Sequence, residues 1–183
     1  MNFHQYRASE KSTELSKRQK YLLGSTIDLS TSLNLSDIKK EVNLKDFNTK
    51  WAYKPVELTG KFDYGKEIPV KVYKNGVVGY DLICPFLFVS SDNQTEFNTI
   101  FVNRGFVDDS TYLKHKGIWK HDAPGYTTIR GVVAKVHQTK HDLENDYHRE
   151  TRINSINLAE FAKYRLVKNL VSTDVLLHEV NFD

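Results

Sequence analysis

Cysteine is almost missing from this chain: Cys84 stands alone in 183 residues, so no intrachain disulfide can form and the fold must rest on burial. A single thiol is compatible with a reducing or an oxidising compartment. Long apolar runs are missing too. The longest, LICPFLFV at residues 82–89, is strand-sized and contains Pro85, far short of the roughly 20 residues that cross a bilayer. The first twenty residues lack the apolar stretch of a secretory signal, and Glu10 and Glu14 count against a mitochondrial presequence. An excess of one charge is also lacking. Lys and Arg number 26 against 23 Asp and Glu, a formal charge of +3 with no dense basic block, so nucleic acid is not the default partner.

What is present suits one domain, since a chain of this length removes roughly 70% of its unfolded surface from water on folding. Residues 12–24 predict a short helix, capped by Ser12 or Thr13 and ended by Gly24. Residues 36–47 predict a second one, with Ile38 and Val42 one turn apart, Ser36 as N-cap and Asp37 at the positive end of the dipole. From Pro55 the period becomes two, because Val56, Leu58 and Phe62 alternate with Glu57, Thr59 and Lys61. DYGK then turns the chain. Ile68, Val70 and Val72 alternate with Pro69, Lys71 and Tyr73, and a proline inside the run marks an edge strand.

Further strands are predicted at 78–89, 99–107, 126–136, 164–171 and 174–180, with a long loop at 108–125 and an acidic stretch near Asp142. One late helix interrupts them: Asn157 and Glu160 have capping-box spacing, and Ile156 and Phe161 have that of a hydrophobic staple. The pattern predicts an α+β fold, a mostly antiparallel β-sheet or partly open barrel of about six to seven strands, with N-terminal helices and one late helix. Residues 1–50 are expected to form a helical extension and 51–183 a single β-rich domain.

Motifs of catalysis are hard to find. His137 and His141 have the spacing that lets two imidazoles share a helix face, but VVAKVHQTKHDL reads as a strand entering a loop, without the glutamate of HExxH. His148, with Asp142 and Glu144 near it, adds little, and surface histidines are expected. There is no GxSxG elbow, and Cys84 precedes Pro85 in an apolar strand, where a buried inert thiol is expected. Gly76 and Gly79 in NGVVGY are not followed by Lys-Ser or Lys-Thr and read as turn glycines. Asp108 and Asp109, adjacent on extended backbone, point apart and fit a solvated turn. No catalytic, cofactor-binding or metal-binding residue is assigned.

Aromatics alternate with bases in KVYK at 71–74 and KYRLVK at 163–168. On an open barrel such residues can stack single-stranded nucleic acid. Amphipathic packing, with tyrosines at the core edge and lysine stems laid along it, accounts for them as well.

One strand is odd. TIFVNRGFV at 99–107 carries Asn103, Arg104 and Gly105 where a buried strand wants apolar residues. Taken in order, YKPVELTGKF at 53–62, GVVGYDLICPF at 76–86 and IFVNRGFV at 100–107 resemble the surfeit locus protein 1 family of cytochrome c oxidase assembly factors. Phe106 replaces the family's usual Trp, Cys84 stands where Thr is common, and Val77 and Val78 fill the spacing between Gly76 and Gly79. SKRQKYLLGSTIDL, TIRGVVAK and NLAEFAKY add support, so that the resemblance runs over roughly residues 16–180.

The resemblance implies a non-enzymatic protein, an assembly factor or stably bound accessory subunit of mitochondrial cytochrome c oxidase, without cofactor. It implies a place peripheral to the inner membrane on the intermembrane-space side. Expected partners are oxidase subunits and other respiratory-chain proteins, with peripheral contact to the membrane. Family members usually carry a transmembrane helix at each end, and this sequence matches the membrane-external part. A histidine linked to haem a in some bacterial relatives has no counterpart here, so no haem is assigned. The matched motif nominates Gly60, Gly79, Tyr80, Asn103, Arg104 and Gly105 for architecture or partner docking, with Arg104 expected to pair with a carboxylate such as Asp81 or Glu57. An oligonucleotide-binding β-barrel and a small metal-dependent enzyme built on His137 and His141 are the alternatives.

Overall fold

The computed structural model describes residues 25–115, 125–136 and 157–180. Alternation at period two builds most of it. In β2 (Val56–Phe62) and β3 (Ile68–Lys74), Val56, Leu58, Ile68, Val70 and Val72 are buried while Thr59, Lys61 and Lys71 are exposed. One turn of 3-10 helix, Tyr64–Lys66, joins these two strands. Asn75 and Gly76, at φ 54° and 79°, then make the tight turn into β4 (Val77–Val89), both in the left-handed region whose twist suits a two-residue hairpin. β4 pairs along most of its length with β5 (Phe97–Asp108).

β6 (Thr127–Lys135) and β7 (Val175–Glu179) complete the sheet, with the two-residue β1 (Ile27–Asp28) parallel to the start of β2. The strand order is β1-β2-β6-β7-β5-β4-β3, antiparallel except for β1 with β2 and β5 with β7. Because β2 also pairs with β4, through Gly60↔Phe88 to Phe62↔Phe86, strands β2, β6, β7, β5 and β4 close into a ring. β3 lies at the edge, as its proline predicts. The mostly antiparallel α+β fold is borne out.

Two apolar clusters lie on opposite faces of these strands. Inside the ring sit Leu58, Phe86, Phe88, Ile100, Val102, Val133 and Leu177, joined by Leu29, Leu35, Ile38, Phe47 and Trp51 from the N-terminal segment. Outside, Ile68, Val70, Val72, Ile83, Phe101 and Leu176 pack with Leu158 and Ala162 of the late helix. The N-terminal helices close one end of the ring: the Asn48 side chain accepts from the Lys135 amide, and the Ser91 amide donates to the Ser30 carbonyl. Among the described residues, the 3-10 turn lies at the opposite end, where β5 and β7 finish.

Several expectations are corrected. The helix predicted at 36–47 is two: α1 (Ser32–Glu41), with Thr31 rather than Ser36 as N-cap, and α2 (Phe47–Trp51). Leu35 joins Ile38 and Val42 on one buried stripe, which pulls the start of α1 toward the N-terminus and leaves Asp37 in its interior. The segment 108–125 is not all loop, because the Asp108 carboxylate accepts from the Thr111 amide at 2.6 Å and starts α3 (Asp109–His115). Nor is 164–171 a strand. α4 (Leu158–Tyr164) runs into it, and Leu166 and Asn169 adopt left-handed backbone at φ 56° and 59°, leaving an isolated bridge between Thr99 and Leu170.

The predicted start of α4 stands: Asn157 accepts from the Glu160 amide at 3.0 Å. The helix expected at 12–24, the acidic stretch near Asp142, and Ile156 lie outside the described residues. Among the described residues, no helix is long and apolar enough to cross a membrane.

Candidate functional site at the barrel mouth

The polar interruption of β5 is a β-bulge. Asp81 pairs with Phe106 and Ile83 with Asn103, so Arg104 and Gly105 together stand opposite Leu82. Gly105 has φ 119°, a conformation that L side chains rarely adopt, although a Cβ there would meet nothing within 4 Å. Conformation, not space, demands glycine. Buried Asn103 secures the kink, its side-chain oxygen accepting from the Gly105 amide at 2.9 Å.

The bulge aims Arg104 at the 3-10 turn. Its Nη1 donates to Glu67 Oε2 at 2.7 Å, and its guanidinium carbon lies 4.6 Å from the Tyr64 ring centre and 5.3 Å from that of Phe62. The Glu67 side chain is 5% exposed and that of Arg104 20%. Phe62 meets Phe86 edge-on, with centres 4.9 Å apart, which connects this arrangement to the barrel interior.

Asp81 and Glu57, the expected partners of Arg104, are engaged elsewhere. Asp81 Oδ1 takes Lys74 Nζ at 3.0 Å, and Glu57 Oε2 takes Arg130 Nε at 2.8 Å. The reason is geometric: Asp81 shares a face of the sheet with Val70 and Val72, whereas the bulge points Arg104 toward Glu67. The other Asp81 oxygen, Oδ2, is buried without a hydrogen-bond partner among the described residues.

Three further groups line this end of the barrel. Glu179 follows Val175 and Leu177 on the inward face of β7, and burial pushes its carboxyl above the usual range while Arg104 works in the opposite direction. Cys84 is buried; burial, reinforced by the Glu67 charge, pushes its thiol up. The Tyr80 ring packs at a tilt of 39° against Tyr112 of α3 with centres 4.5 Å apart, and burial pushes the ionisation of both hydroxyls up.

Of the nominated residues, the fold brings Asn103, Arg104 and Gly105 together, with Gly79 and Tyr80 on the neighbouring strand. Gly60 lies apart, where β2 meets β4 and β6. Its role is close approach, because a Cβ there would overlap the Leu87 carbonyl oxygen. Gly79 is corrected from a turn glycine to the same kind: its Cβ would overlap the Val107 carbonyl oxygen and the Phe106 ring. Glu67, Tyr64, Phe62 and Glu179 were not nominated. Glu179 had a signal, since alternation from Leu177 puts a carboxylate on an apolar face.

KVYK and KYRLVK do not share one strand face, for the first lies on edge strand β3 and the second spans the end of α4 and its turn. Among the described residues no group of three or more His, Cys, Asp or Glu is placed to hold a metal ion, and His137, His141 and His148 lie outside those residues.

The family model of the SURF1 family matches residues 5–180, which takes in every strand of the barrel and the bulge. This chain belongs to the SURF1 family. A search of curated protein sequences returns no match. The SURF1 family is a family of cytochrome c oxidase assembly factors associated with the inner membrane. In this SURF1-family chain, the VNRG stretch is thus the bulge that pins the barrel mouth to the turn between β2 and β3.

Proposed function

We propose that this protein is a non-enzymatic assembly factor or stably bound accessory subunit of mitochondrial cytochrome c oxidase, peripheral on the intermembrane-space side. The observation that carries the reading is the SURF1 family match across residues 5–180. The barrel supports it chemically: Arg104 and Glu67 at the bulge are held in a fixed ion pair, with the guanidinium against two mutually packed aromatic rings, which suits shape recognition. Asn103, Arg104 and Gly105 shape the docking end, while Gly60 and Gly79 let strands approach closely enough to hold that shape.

Purification in gentle detergent from the native source tests this. The protein is expected in particles of oxidase size together with oxidase subunits, and its presence only at monomer mass overturns the reading. Its distribution between mature oxidase and assembly intermediates separates a subunit from a transient factor. An Arg104→Ala variant that keeps its melting temperature yet loses oxidase association assigns Arg104 to partner contact; loss of both assigns it to architecture.

A further inference from the structure

Among the described residues, the barrel mouth sets the carboxylates of Glu67 and Glu179 against the Arg104 guanidinium, while Lys66 and Asp63 of the adjoining turn pair with each other at 3.8 Å. Glu67 takes the Arg104 guanidinium, whereas Glu179 makes no ion pair among the described residues. Strand alternation fixes its direction, because Val175 and Leu177 on the same face of β7 are buried in the barrel cluster and Glu179 is the next residue on that face. The β5–β7 register, Asn103 opposite His178, brings Glu179 next to Arg104, whose guanidinium already lies against the mutually packed rings of Tyr64 and Phe62, each only partly buried. The site therefore offers a half-buried negative charge next to aromatic rings, at the end of the barrel opposite the described helices α1 and α2.

We infer that the barrel mouth receives a basic side chain, lysine or arginine, from a docking partner, which pairs with Glu179 beside the Tyr64 ring. Charge complementarity selects this occupant: an acidic partner would meet two carboxylates for one guanidinium, and an apolar one would leave Glu179 desolvated and unpaired. The partner's identity as an oxidase subunit rests on the proposed function, but the chemistry of the site does not.

The test uses the full chain and its Glu179→Gln and Glu57→Gln variants. Glu57 pairs with Arg130 on the outer face of the barrel, since Val56 and Leu58 on either side of it point inward, and controls for net charge. Association with purified oxidase is measured at low and high salt. In parallel, the amide signals of Glu179 and Gly105 are followed during titration with a capped tripeptide carrying a central arginine or its neutral analogue citrulline. Glu179→Gln is expected to weaken oxidase association roughly tenfold at low salt, with a smaller loss at high salt, while Glu57→Gln stays near wild type. The arginine peptide, not the citrulline one, shifts the wild-type signals, and Glu179→Gln abolishes the shift.

Equal behaviour of wild type and Glu179→Gln in both assays overturns the inference. So does a lower melting temperature of Glu179→Gln without any partner at neutral pH, which marks the occupant as a cation of this chain itself. If wild type fails to bind the oxidase but the arginine-dependent shift persists and requires Glu179, the oxidase reading falls and the cation site stands.

Discussion

The Arg104 guanidinium donates to the Glu67 carboxylate across 2.7 Å and lies 4.6 Å from the centre of the Tyr64 ring, so a side chain from the β5 bulge holds down the turn between β2 and β3. Two residues 37 apart in sequence thereby join the barrel wall to its mouth.

Removing that side chain strands a carboxylate that is almost fully buried. Arg104→Ala is expected to cost about 2–4 kcal/mol in urea unfolding, less than a fully buried pair because the guanidinium is partly wet. Arg104→Lys should recover part of it, keeping the charge but losing the planar fork and the stacking. In a double-mutant cycle Arg104→Ala with Glu67→Gln should cost less than the sum of the two. Strict additivity would mean that the pair does not act as a unit.

The glycines separate by mechanism. Gly105→Ala meets no atoms but forces a non-glycine residue to φ 119°, and a cost of about 1–3 kcal/mol is expected. Gly60→Ala and Gly79→Ala drive a Cβ into carbonyl oxygens of neighbouring strands, so each should cost more than Gly105→Ala and lower soluble yield. Thermal melts of the three variants check the order, which is wrong if Gly105→Ala is the most damaging.

Much of this fold is legible in the sequence because alternation at period two is a local signal. Val56, Leu58, Ile68 and Val70 declare their strands, and Asn157 with Glu160 declares the start of α4. Ring closure is not local, since pairing Phe62 with Phe86 depends on sheet twist rather than on any short stretch. Likewise VNRG reveals that something special happens in β5 without revealing where Arg104 points. That direction follows from the bulge, and the bulge from which residue of β4 stands opposite. The strand expected at 164–171 failed because Leu166 and Asn169 turn left-handed, which an alternation count cannot register.

Cys84 should be chemically silent in the folded protein. Burial pushes the thiol's ionisation upward, so little thiolate exists at neutral pH and reagents have no path to it. A disulfide reagent is expected to modify native protein at least ~100-fold more slowly than it modifies the urea-unfolded chain. Fast labelling of the native protein would show that the strands around Cys84 open readily.

Glu179 gives the pH dependence its sign. The folded state raises this carboxyl above its ordinary value of 4.5, chiefly by burial, so between the two values the folded chain holds a proton that the unfolded chain has released. Stability from this group is complete below 4.5 and is lost as pH rises through the folded value. Glu179→Gln removes the ionisation altogether. Its melting temperature relative to wild type should therefore climb as pH goes from 4 toward 7 and level off once wild-type Glu179 is ionised. Adding the arginine tripeptide at neutral pH should shrink that difference by restoring a counter-charge to wild type alone. A difference that is flat with pH would mean that Glu179 is well solvated, and that the mouth of the barrel is wet beside Arg104.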